Sequence, residues 1–178
     1  MQLNSPASHL NDMVKQTRQH HISLSSMADV KANMLLTISS VVATLSVSQL
    51  SNLTYRPALS VLMFFCLVTI FLACLVVMPN LREAKRPDSY FELDNPKFNP
   101  LFFGDFHAIA FEKYFSIMEQ VINDVSLCYE VELRDIYGLG QYLVNKKFRI
   151  LRYGYLSFLT GFGSATGILI ATLMAPGP

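Results

Sequence analysis

The chain has 178 residues, enough for one soluble domain or a small membrane protein, and it is 52% hydrophobic and 15% charged, against about 25% charged residues in ordinary soluble domains. Its charges are clustered: none occurs from Ala32 to Tyr55, from Pro57 to Leu81 or from Tyr153 to Pro178. A helix needs about 20 apolar residues to cross a bilayer, so each stretch is long enough to span one and a soluble single-domain enzyme is nearly excluded.

Residues 1–31 read as an N-terminal cytoplasmic helix, with Leu10, Met13, Val14, Ile22 and Leu24 forming an imperfect helical stripe. They are polar and lack an apolar core, so no cleavable signal peptide is expected. No Gly or Pro separates Pro6 from Arg56, and this helix is expected to run unbroken into the first span. Residues 32–78 form a transmembrane hairpin: spans 32–50 and 58–78, a tight turn over Ser51–Arg56, and Pro79 as the stop.

The region 79–152 begins with Pro87, Pro96, Pro100 and Gly104, which predict an extended loop over 80–104 with room for a short edge strand. A helix is expected over Phe111–Asp124, with Phe115, Met118, Val121, Ile122 and Val125 along one side. In the last helix, Tyr129, Leu133, Ile136, Tyr137, Leu143, Val144 and Leu151 fall at three- and four-residue steps and lead into the third span, 153–175. A helix over 127–173 would be about 70 Å long and would couple the cytoplasmic part to the membrane. The fold expected is thus mainly α: an integral membrane protein with three transmembrane helices, an N-terminal helix continuous with the first, and a small helical cytoplasmic region leading into the last.

Thirteen of the fourteen Lys and Arg residues lie before the first span or between the second and third, Arg56 being the exception. The positive-inside rule then puts the N-terminus in the cytoplasm and the C-terminus outside. Cys66, Cys74 and Cys128 make no metal or disulfide framework.

The first span is unusually polar. Asp29, Asn33, Thr37, Ser40, Thr44 and Ser48 recur at three- or four-residue steps and share one helical face. A polar stripe at membrane depth faces protein or water. It reads as a pore lining with Asp29 at the cytoplasmic mouth favouring cations, or as hydroxyls that bond back to their own helix and let helices pack closely. In span two, Leu62, Phe64, Phe65, Leu67, Ile70, Phe71 and Leu72 are bulky and suit lipid. Span three carries Gly163, Gly167, Ala171 and Ala175 at four-residue steps, plus Ser157, Gly161 and Ala165, a ladder that allows close helix approach within or between chains. One polar helix cannot enclose a channel, so a pore requires a cyclic homo-oligomer.

Two basic clusters flank the spans: Arg82, Lys85 and Arg86, and Lys146, Lys147, Arg149 and Arg152. They read as topology signals that attract anionic lipid, or as a phosphate-binding surface to which Arg18, His20 and His21 contribute. Tyr90, Phe91, Phe98, Phe102 and Phe103 lie between the clusters, as base-stacking groups or as a small core. Glu130, Glu132 and Asp135 read as a solvated helix face. The histidines, including His9 and His107, lack ligand spacing, and no nucleophile elbow or Gly-rich phosphate loop occurs. No enzymatic activity, cofactor or metal is expected.

Three passages together resemble the Pycsar effector transmembrane family. His20-His21-Ile22 and Ala28-Asp29-Val30-Lys31-Ala32-Asn33-Met34-Leu35-Leu36 resemble its approach to the first span. Asn99-Pro100-Leu101-Phe102-Phe103-Gly104-Asp105, followed by Glu112-Lys113-Tyr114, resembles its central loop. Ile136-Tyr137 through Lys146-Lys147-Phe148-Arg149-Ile150-Leu151 resembles its last helix. The resemblance covers residues 10–172.

It implies an anti-phage effector of the bacterial inner membrane, controlled by a nucleotide signal from a nucleotidyltransferase encoded alongside. Pycsar systems use cyclic pyrimidine mononucleotides, and similar effectors in Hailong-type systems are controlled by short single-stranded DNA. The chain has no recognisable cyclic-nucleotide-binding β-roll, which keeps an oligonucleotide in play. The function expected is a nucleotide-controlled ion channel assembled as a homo-oligomer, a tetramer by the space four polar helices enclose, that depolarises the membrane to abort infection. Its pore would be lined by the stripe from Asp29 to Ser48, and its ligand's phosphates held by Arg18 and the two basic clusters. The alternatives are a membrane-anchored adaptor that tethers a partner enzyme without conducting, and membrane disruption by aggregation.

Overall fold

The computed structural model describes residues 8–78 and 86–174. Helix α1 spans Ser8–Ser48 and α2 spans Arg56–Val77. A 3₁₀ turn at Asp88–Phe91 precedes the short α3, Phe103–Phe106, and α4, Phe111–Asn123. Helix α5, Val125–Tyr142, runs through a π-helical segment, Leu143–Phe148, into α6, Arg149–Met174. Three of these helical stretches are long and apolar enough to cross a membrane: His9–Ser48, Arg56–Val77 and Val125–Met174. The fold is mainly α, and no strand occurs among the described residues. The short edge strand for which the loop left room is not found over 86–104, where the backbone instead turns on itself: Tyr90 N–H bonds the Pro87 carbonyl and Asn95 N–H that of Glu92.

Helix α1 continues for 41 residues because nothing in it removes a backbone donor or frees a torsion. The hydroxyls of Thr37, Ser40, Thr44 and Ser46 donate to the carbonyls of Asn33, Leu36, Ser40 and Val42 one turn back. After Ser48 the chain reverses through an Asx turn, in which Thr54 N–H donates to Asn52 Oδ1 at 3.1 Å, and Pro57 opens α2 where its missing N–H costs nothing.

The chain divides into two compact units, residues 8–23 with 86–142 and residues 24–78 with 143–174. In the second, Ala28, Ala32, Leu35, Val76 and Leu151 form a core against which Val77, Phe148, Ile150 and Phe158 pack. Helix α2 presents Ala58, Cys66, Thr69, Ala73 and Val76 inward and leaves Phe64, Leu67 and Phe71 exposed. Phe65, expected to contact lipid, instead lies against Gly161 of α6, and its carbonyl accepts the hydroxyls of Thr69 at 2.7 Å and Ser157 at 3.3 Å. The small residues of the third span therefore serve two faces. Gly154, Gly161 and Ala165 are buried within the unit, whereas a methyl group added at Gly163 or Gly167 would meet nothing within 4 Å.

In the first unit Phe91, Phe98 and Ile117 form the core, with Tyr90, Leu93 and Ile109 packed around them. The Phe91 and Phe98 rings meet edge to face at 5.8 Å, a favourable aromatic geometry. Arg134 of α5 holds this loop by donating to the carbonyls of Leu93 at 2.8 Å and Asn95 at 3.3 Å. Helix α4 buries Ile117 and Val121 and exposes Phe111, Phe115 and Ile122.

A methyl group at position 161 would collide with the Phe65 side chain, and overpacking of this kind costs about 1–3 kcal/mol. Gly161→Ala is expected to lower the melting temperature of the detergent-solubilised protein. Gly138→Ala, which meets open space on α5, is expected not to lower it, and a shared loss in both variants would refute this packing.

Candidate functional site

The polar stripe of α1 faces away from the core of its own unit. Asn33, Thr37, Thr44 and Ser48 are exposed and Asp29 and Ser40 half-buried. The inward face, one residue out of phase, is Ala28, Ala32, Leu35, Ser39 and Ser46. Ser39 is fully buried and its Oγ has no hydrogen-bond partner, a position that the reading from sequence does not single out. Its spacing from Leu35 matches the inner face, but α1 carries two parallel faces of small residues, and periodicity does not say which turns inward.

Thr37, Ser40, Thr44 and Ser48 satisfy their donors on their own helix, Ser48 through the Leu45 carbonyl. Their oxygens retain lone pairs. Asn33 makes no side-chain hydrogen bond among the described residues and lines a shallow groove of about 460 Å³ with Val30, Met34, Thr37 and Ile38.

The cations expected to hold phosphate divide into two sets. Arg82 and Lys85 lie outside the described residues. Arg86 Nη1 is 2.5 Å from Asp105 Oδ1, and its guanidinium sits 4.1 Å above the Tyr90 ring. Arg18 Nε is 3.2 Å from Asp135 Oδ2. Lys147 Nζ reaches both Asp29 oxygens, at 2.6 and 2.7 Å. Each of these charges already has a carboxylate. Lys146, Arg149 and Arg152 are exposed and make no ion pair among the described residues. Arg149 and Arg152 line an open groove of about 520 Å³ with Val144, Phe148, Tyr153 and Leu156.

Asp135, expected on a solvated face, is buried. It accepts from Arg18 and from Asn99 Nδ2 at 2.9 Å. The Asn99 backbone N–H donates to Asp105 Oδ2 at 3.0 Å, and its Oδ1 accepts from Leu101 N–H at 2.9 Å. A chain of contacts therefore runs Arg86–Asp105–Asn99–Asp135–Arg18. Two buried carboxylates are tolerable because each meets a guanidinium and an amide. Of the aromatic residues, Tyr90, Phe91 and Phe98 belong to the core, whereas Phe102 and Phe103 are exposed. Among the described residues, no group of histidines, cysteines and carboxylates is placed to hold a metal. Burial, reinforced by the Glu132 carboxylate, pushes the Cys128 thiol up from its ordinary value, which keeps it protonated and slow to react at neutral pH.

Three helices long and apolar enough to cross a membrane, together with a unit whose loop is closed by paired carboxylates and guanidiniums, define a membrane protein. The family described as the Pycsar effector protein domain matches residues 12–175, and the chain belongs to that family. It is an effector of nucleotide-signalling anti-phage defence and resides in a membrane. No curated protein and no solved structure matches the chain.

Removing Asn99 leaves one buried carboxylate short of a partner, at a cost of about 1–3 kcal/mol. Asn99→Ala is expected to lower the melting temperature and speed proteolysis within 86–110. Unaltered cleavage there would show that the contacts do not hold the loop.

Proposed function

We propose that the protein is a homo-oligomeric ion channel whose opening is controlled by a nucleotide or short nucleic-acid signal and whose conductance depolarises the inner membrane during infection. The observation that carries this reading is Asn33. It is exposed on a membrane-length helix, and its amide has no hydrogen-bond partner among the described residues. Lipid offers such a group nothing. Water or another subunit does, and Thr37, Ser40, Thr44 and Ser48 extend the same polar face along the span. One such helix encloses nothing, whereas four copies surround a narrow aqueous path. Gly163 and Gly167, open on the outer side of α6, support close approach between subunits. The protein acts without catalysis, with its N-terminus in the cytoplasm and its C-terminus in the periplasm.

The signal's phosphates are received by Lys146, Arg149 and Arg152, the cations of the expected set that lie among the described residues and make no ion pair there. The signal is made by a nucleotidyltransferase encoded alongside. The exposed Phe111, Phe115 and Ile122 on α4 favour one competing reading, an adaptor that grips a protein partner and conducts nothing.

Planar-bilayer recording separates the two. Discrete currents that respond to cyclic pyrimidine mononucleotides or to short single-stranded DNA are expected, and well-folded protein that stays silent would favour the adaptor. Ser40→Leu with Thr44→Leu should abolish the current while assembly persists, and surviving conductance would remove α1 from the pore. Lys146→Glu with Arg149→Glu should weaken binding of the active nucleotide and flatten its salt dependence, since fewer neutralised phosphates release fewer counterions. Unchanged affinity would place the ligand elsewhere.

A further inference from the structure

We propose that Asp29 and Lys147 form an ionic latch, in which Lys147 is a tethered counter-ion that keeps the pore mouth neutral and the channel at rest. The proposal rests on the channel reading above and names the regulation of that pore. Lys147 Nζ lies 2.6 and 2.7 Å from the two oxygens of Asp29, 118 positions away in the chain. The Lys147 side chain is 9% exposed and that of Asp29 38%. The ammonium has thus been withdrawn from water onto one carboxylate, which itself keeps access to solvent. Such a pair is sensitive to its surroundings, because a buried ammonium deprived of its partner is costly.

The backbone under Lys147 is the second observation. Leu143–Phe148 is π-helical within a helical stretch that runs from Val125 to Met174. A π turn holds one more residue than an α turn and is a common device at functional sites. Its return to α geometry would reset the turn from which Lys147 reaches Asp29. Such a change would loosen the hold of Lys147 on Asp29. In the latch the wide turn and the ion pair act as one two-state element. Phe148 packs on the cluster of Ala28, Ala32 and Leu35, so the core beside Asp29 senses the same change.

Charge gives the element its direction. While the pair is closed, Asp29 offers no net charge to an entering cation. Lys146 and Arg149, exposed on either side of Lys147, attract phosphate, and a phosphate seated there competes with Asp29 for the lysine. Opening then does two things at once: it bares a ring of carboxylates at the mouth and frees α1 from the π segment.

The test uses full-length protein in planar bilayers with no nucleotide added. Lys147→Met should raise the resting cation current about tenfold, within the range of ordinary coupling between a switch and its site. Asp29→Asn should also raise it, with a weaker preference for cations. The exchange Asp29→Lys with Lys147→Asp should return the current to its low resting value. Should Lys147→Met fail to assemble, Lys147→Arg must leave the resting current low while Asp29→Asn raises it. Wild-type protein that conducts and responds to cyclic pyrimidine mononucleotides or short single-stranded DNA, alongside single variants with unaltered resting current, would overturn the latch alone. An exchange variant that behaves like the singles would do the same. Silence of the wild type and every folded variant would instead overturn the channel reading and take the latch with it.

Discussion

A bilayer interior offers no hydrogen bonds, and the architecture of this protein follows from that constraint. Every backbone donor at membrane depth must be satisfied within its own helix. The chain complies with long segments free of proline, and the hydroxyls of α1 turn their donors onto carbonyls a turn behind. What the constraint does not absorb is an amide at Asn33 with no partner among the described residues and, just before the first span, a carboxylate at Asp29. These groups stand out because their surroundings make them expensive, and each has to be answered by water, by another subunit or by a counter-ion. Lys147 is the counter-ion that answers Asp29.

Without a hydrophobic drive between helices in lipid, close packing decides how the three spans are arranged. Gly154 and Gly161 let α6 approach Leu35 and Phe65 so closely that a methyl group would crowd the first and collide with the second. This intimate contact uses one side of α6 only. The opposite side, with Gly163 and Gly167, is equally smooth and unoccupied. Small residues on both sides leave α6 able to pack closely on either.

The polar unit solves a different problem. A loop carrying several prolines cannot cap its own polar groups with regular structure, so its order comes from side chains. Asn99 bonds three partners, Arg134 clamps two carbonyls, and Asp105 and Asp135 sit buried between guanidiniums. The passage from Asn99 to Asp105 supplies many of these contacts. Its residues hold a loop in shape, and the exposed Lys146, Arg149 and Arg152 lie on another part of the chain.

Much of the fold is legible in the residues. The charge-free stretches, the turn before Pro57, the unbroken α1 and the helix from α5 into α6 follow from composition and from where proline is absent, because these are local properties of a chain in lipid. Helical spacing also shows which residues share a face, including the stripe from Asp29 to Ser48. It does not say which face meets which neighbour. Ser39 and Asn33 both sit on small-residue faces of α1, yet one is sealed inside and the other lies open. By its position along α5, Asp135 is a surface carboxylate, but Arg18 and Asn99 close over it, and in sequence Lys147 is as available as Lys146. Tertiary structure alone decides these, because burial and charge pairing depend on contacts between residues as far apart as Asp29 and Lys147, and a single helix's periodicity carries no information about its partner.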